Sequence, residues 1–162
     1  MRPLPTLTVL SLLVTACGRA DAAPEASDAL TSAADPSLPG VLVYKSPTCG
    51  CCSGWVEHMR AAGFAVDARD VTDLMSVKRD AGVPVALSSC HTTLVDGYVV
   101  EGHVPAEQVK RLLAERPEIA GLAAPGMPVG SPGMEGASAQ PYEVFSFDRD
   151  GRTEVFAEVD PR

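Results

Sequence analysis

Three of the chain's five cysteines fall within four residues, Cys49-Gly50-Cys51-Cys52, directly after a run of strand-forming residues from Val41 to Lys45. Ser46-Pro47 ends that run, and Trp55, Val56 and Met59 then recur at helical spacing with Glu57, His58 and Arg60 between them. This places the cysteines where a buried strand gives way to a helix predicted over 52–62. At a helix start the first N–H groups lack intrahelical partners and the helix dipole is positive, so a thiolate is stabilised there. Thiolate is both the nucleophilic form of cysteine and its metal-binding form. The segment therefore implies a strand–helix unit with metal or redox chemistry at its turn.

The rest of the chain extends that unit. Phe64 to Val71 alternates apolar and charged residues as a second strand, Thr72 is placed to cap a second helix running to about Asp80, and Gly82-Val83-Pro84 ends it. Thr92–Val95 and Tyr98–Glu101 flank Asp96-Gly97, the pair that suits a type I′ hairpin turn. Pro105 is expected at the first position of a third helix with Val109, Leu112 and Leu113 on one face, ending before Pro117. Residues 121–140, rich in Gly, Pro and Met, read as a loop or flap, and Tyr142–Phe147 and Thr153–Val159 as a closing hairpin through Asp148-Arg149-Asp150-Gly151. The order βαβα, β-hairpin, α predicts an α/β, thioredoxin-like core with an added C-terminal β-hairpin.

The N-terminus carries one arginine, an apolar run from Leu7 to Val14, and small residues leading to Cys17. That run is too short to span a bilayer and reads as a secretory signal. Val14-Thr15-Ala16-Cys17 resembles a bacterial lipobox, which implies cleavage after residue 16 and lipidation of Cys17. The expected organisation is a lipoprotein signal peptide over 1–16, a flexible membrane tether over 17–39, poor in residues to bury, and a metal-binding domain over 40–162. Gly18, rather than an aspartate, follows Cys17, and the resemblance to sorted lipoproteins then implies the outer membrane. The net charge of −8 argues against nucleic acid and against anionic lipid surfaces.

Cys49 and Cys52 have the Cys-X-X-Cys spacing of a redox pair. Cys51 adds a sulfur that a dithiol exchange does not need. Thioredoxin-like folds also carry a cis-proline before the third strand, facing the active-site pair; here that place holds Ser89-Cys90-His91-Thr92, so Cys90 is expected to face the other three. Pro84 lies several residues earlier and is expected only to end the helix. Four convergent thiolates suit zinc, an iron–sulfur cluster or copper(I). Adjacent Cys51 and Cys52 are hard to bring to one small ion together with Cys49, which favours copper(I), with several ions bridged by thiolates. The alternatives are a thiol–disulfide oxidoreductase of the cell envelope, or disulfides that staple the cluster internally and to Cys90.

The stretches VYKSPTCGCCSGWVEHM, GVPVALSSCHTTLVDGYVVEGHVPAEQVKRLL and GLAAPGMPVGSPGME closely resemble the domain of unknown function 411 family, a CopG-like group of periplasmic proteins associated with copper resistance. The likeness covers most of Val41 to Glu135. It implies a thioredoxin-like fold, copper binding through Cys49, Cys51, Cys52 and Cys90, and a role in metal homeostasis. The expected partners, on the reading of a protein that sequesters copper(I) or hands it on, are copper ions and an envelope copper protein or exporter.

Weaker candidates are Met127 and Met134, whose thioethers suit copper(I), and His91 and His103, as ligands or as hydrogen-bond donors to ligands. Lys45 and Arg60 are near enough in sequence to offset thiolate charge. His58 is expected on a solvated face, and Trp55 beneath the cluster.

Overall fold

The computed structural model describes residues 34–162; Cys17, the signal segment and the tether as far as residue 33 lie outside the described residues. The elements are β1 (Val41–Lys45), α1 (Gly50–Ala61), β2 (Val66–Asp70), α2 (Leu74–Asp80), a 3-10 turn (Val85–Leu87), β3 (His91–Val95), β4 (Tyr98–Gly102), α3 (Ala106–Glu115), β5 (Gly121–Ala124), β6 (Tyr142–Phe147) and β7 (Thr153–Val159). All seven strands form one mixed sheet in the order β2-β1-β3-β4-β5-β6-β7. β1 runs parallel to β2, as the crossover helix α1 between them allows, and antiparallel to β3, which forms the hairpin with β4.

Strand alternation shows that both faces of the sheet are covered. Val100, Leu122 and Val144 pack with Trp55, Val56 and Met59 of α1 and Val109 and Leu112 of α3 in the main core. Val99, Ala123 and Phe147 instead pack with Val83 and Leu87 in a second cluster. β4, in the middle, is buried along its whole length, as expected of a strand sandwiched between two layers. Asp96 and Gly97 have φ of 45° and 86°, the left-handed pair that a type I′ turn needs.

Four local expectations are corrected. α1 begins at Gly50 rather than Cys52, because Cys49 serves as its N-cap, its sulfur accepting from the Cys52 N–H at 3.3 Å. Asp73, not Thr72, caps α2, its carboxylate accepting from the Ser76 N–H at 3.0 Å. Pro105 is the residue before α3, not its first. The segment expected as a loop from residue 121 opens with β5, which pairs parallel with β4 and antiparallel with β6 and so joins the closing hairpin to the sheet. Ahead of β1, the Asp35 N–H donates to Gly63 O at 2.8 Å and Leu38 packs on the core, so the end of the segment read as tether is docked. Among the described residues, no helix is long and apolar enough to cross a membrane.

Candidate metal centre

The strand register gathers the chemistry at one end of the sheet. Lys45, the last residue of β1, lies opposite His91, the first of β3. Glu101 near the end of β4 lies opposite Thr92, and Gly102 lies beside Ala124 at the end of β5. The N-terminus of α1, Cys90, His103 and the chain leaving β5 therefore meet at the same edge.

The sulfurs of Cys49, Cys51, Cys52 and Cys90 all lie within 4.8 Å of one another, which fulfils the expected convergence of Cys90 on the other three. Adjacency in sequence does not hold Cys51 and Cys52 apart from Cys49, because α1 starts early enough to place both in its first turn. Cys49 and Cys52 are joined in a disulfide, whereas Cys51 and Cys90 are free. Cys51 Sγ lies 3.4 Å from Cys49 Sγ, and Cys52 Sγ lies 3.7 Å from the Cys90 carbonyl oxygen. A staple to Cys90 is absent among the described residues. With the bridge closed, two of the four sulfurs cannot act as thiolates.

Cys90 sits between two buried histidines. His103 Nδ1 lies 2.7 Å from the Pro132 carbonyl, an acceptor only, so Nδ1 carries the proton and Nε2 is left to accept. The Cys90 thiol donates to that Nε2 at 2.8 Å. Burial, and then the neighbouring Cys51, pushes the Cys90 thiol up to about 11, and burial lowers His103 below its ordinary value, so both are neutral before a ligand arrives. His91 Nδ1 lies 3.5 Å from the same sulfur, and its Nε2 has no hydrogen-bond partner. Burial, then His103 and Lys78, holds His91 well below its ordinary value. Cys90, His91 and His103 thus form a second group able to hold a metal, sharing a sulfur with the first. Trp55 is fully buried as expected; its ring centre is 4.6 Å from that of His91, and its indole N–H donates to Val104 O at 2.8 Å.

The segment after β5 folds back over α1. A Cβ on Gly54 would lie 2.9 Å from Gly133 Cα, and one on Gly133, at φ +81°, would overlap Cys51 O and Trp55 N, so two glycines let the backbones touch. Met134 follows at this crossing and is half-buried. Met127 follows Gly126, whose carbonyl accepts the Ser89 hydroxyl beside Cys90, but its side chain is 56 % exposed.

Other expectations move. Lys45 pairs with Asp70 at 2.7 Å and Arg60 with Glu57 at 2.8 Å, so each has a carboxylate partner. His58 is half-buried rather than on a solvated face; its Nε2 accepts from the Ala106 N–H at 3.0 Å and caps α3, for which Pro105 supplies no side-chain acceptor. Sequence reasoning missed Lys78, Thr92 and Glu101, buried together next to Ser89. The available signal was a lone acid inside an otherwise apolar strand, Tyr98-Val99-Val100-Glu101.

Fold and site together define a mixed α/β domain with a cluster of soft donors able to bind a metal. Residues 87–134 match the family described as a protein of unknown function, DUF411. A solved structure of copper resistance protein copG, form 2, is 43 % identical, with a TM-score of 0.72, covering 75 % of this chain and 98 % of that one. Form 1 of the same protein gives 43 % identity, a TM-score of 0.71 and the same coverage. The chain belongs to this DUF411, CopG-like family. No curated protein matches it.

Proposed function

We propose that this chain is a copper(I)-binding protein of the bacterial cell envelope that serves copper resistance, with Cys49, Cys51, Cys52 and Cys90 as thiolate ligands to one or more ions. The observation that carries this reading is the convergence of four sulfurs within 4.8 Å, in a chain 43 % identical to copper resistance protein copG. Soft thiolates suit copper(I) among other soft ions, the likeness to copper resistance protein copG favours it among them, and the neutral imidazoles of His91 and His103 add nitrogen donors beside Cys90. The domain is read as thioredoxin-like from its βαβα, hairpin, α order, extended by β5 and the closing hairpin. It is carried in the periplasm on a tether lipidated at Cys17, and copper passes to an envelope copper protein or exporter.

Because Cys49 and Cys52 are bridged, copper loading on this reading requires two electrons and two protons to open the disulfide first. The test is anaerobic titration of the full chain with copper(I), before and after reduction, with elemental analysis and thiol counting. Reduced protein is expected to hold copper with four thiols protected, unreduced protein to hold less, and Cys90→Ser to lose affinity. Unchanged binding in Cys90→Ser would remove Cys90 from the ligand set.

The bridge itself favours a second reading, a thiol–disulfide oxidoreductase. That reading predicts catalytic turnover of a disulfide substrate without copper. Absence of turnover in a copper-binding protein leaves the first reading alone.

A further inference from the structure

The four sulfurs are not held alike. Cys49 caps α1 and Cys51 and Cys52 ride on its first turn, whereas Cys90 stands in the connection between the 3-10 turn and β3. What fixes that connection is a buried carboxylate. Glu101 Oε1 accepts from the Ser89 N–H at 2.6 Å and from Lys78 Nζ at 2.5 Å. Its Oε2 accepts from the Thr92 hydroxyl at 2.7 Å, and Lys78 Nζ also donates to that hydroxyl at 3.1 Å. Glu101 and Thr92 are fully buried and Lys78 is 4 % exposed.

A buried ion pair seldom stabilises a fold more than apolar residues of the same size, because desolvation consumes the Coulombic gain. Stability alone is therefore a poor account of this group. What an apolar pair could not do is hold the Ser89 N–H. A carboxylate can, because it serves three donors at once, one each from α2, β3 and the backbone next to Cys90. The Ser89 hydroxyl, donating to Gly126 O, pins the same residue to the chain leaving β5.

We propose that Glu101, braced by Lys78 and Thr92, is a positioning residue for Cys90: it fixes the backbone so that the fourth sulfur meets the helix-borne three. The proposal rests on the metal-binding reading above and assigns Glu101 no contact with the metal.

The test uses the reduced full chain. In Lys78→Met/Glu101→Met both charges leave together, so the buried layer stays neutral while the Ser89 N–H loses its acceptor. Cooperative urea unfolding establishes that the variant is folded. Copper(I) affinity is expected to fall roughly tenfold or more, the usual cost of losing a group that orients a ligand. Alkylation of copper-free protein, followed residue by residue by mass spectrometry, is expected to speed up at Cys90 relative to Cys51, a ratio that a purely structural role would leave alone. Should the double variant not fold, the near-isosteric Glu101→Gln decides, with the same two changes in smaller measure. A folded variant whose copper affinity and Cys90-to-Cys51 ratio both match wild type overturns the proposal. Wild-type protein that binds no copper(I) instead defeats the metal reading, and the alkylation ratio then decides the positioning claim by itself.

Discussion

Two buried polar clusters flank Cys90, and they are finished to different degrees. In the Lys78–Thr92–Glu101 cluster, both carboxylate oxygens have donors and the lysine is shared between the acid and a hydroxyl. In the Cys90–His91–His103 cluster, a neutral thiol leans on one imidazole while His91 Nε2 has no partner. A polar network in which every polar atom has a partner confers rigidity; one with an unpartnered atom is costly unless something else uses it. The contrast separates the part of the site that holds shape from the part that has capacity for a ligand.

The contrast breaks most readily on its finished side. Lys78→Met leaves the Glu101 charge buried without its partner and is expected to cost about 3–5 kcal/mol in urea denaturation; a loss below about 1 kcal/mol would mean the pair was never desolvated. On the histidine side the expected lever is pH. His91 and His58 both have lowered pKa values, chiefly through burial, so the unfolded chain binds protons more readily than the folded one. Their contribution to stability is full above the ordinary imidazole value of 6.5 and is lost as pH falls below it. Denaturation midpoints of copper-free protein should drop between neutral pH and pH 5.5, with a shallower drop in His91→Leu. A pH-independent midpoint would show that neither imidazole is buried in its neutral form.

At neutral pH, His91→Leu removes an incompletely bonded polar group and is expected to change stability by no more than about 1 kcal/mol in either direction. A loss as large as that of Lys78→Met would erase the distinction between the clusters. The smallest effect belongs to Met127→Leu, expected within about 0.5 kcal/mol for an exposed side chain. A copper(I) titration of the same variant separates a thioether ligand from a loop residue.

Local chemistry made much of this legible. Cys49, Cys51 and Cys52 announced the centre by spacing, and Asp96-Gly97 announced the turn that brings β4 back beside β3. β5 escaped because Gly121-Leu122-Ala123-Ala124 has no β-branched residue and no alternation; its strand state comes from neighbours on both sides rather than from its own propensities. The helix start was missed because a cysteine sulfur, not one of the usual oxygen caps, accepts the Cys52 N–H in the first turn. Which sulfurs pair, and that Lys78 meets Glu101, depend on contacts between separate elements that no short window contains. His58 was misread for the same reason, since its partner is the N–H that follows Pro105.

The Gly54–Gly133 crossing joins segments far apart along the chain, with no side chain at either residue to lengthen its reach. Contacts of this kind carry a large loop-closure cost that must be met before packing offsets it. The cysteine helix is local and can form early, whereas the cover over it arrives with the last non-local contacts. Completion of the centre is therefore expected late in folding, with the thiols open to the surroundings until the site is enclosed.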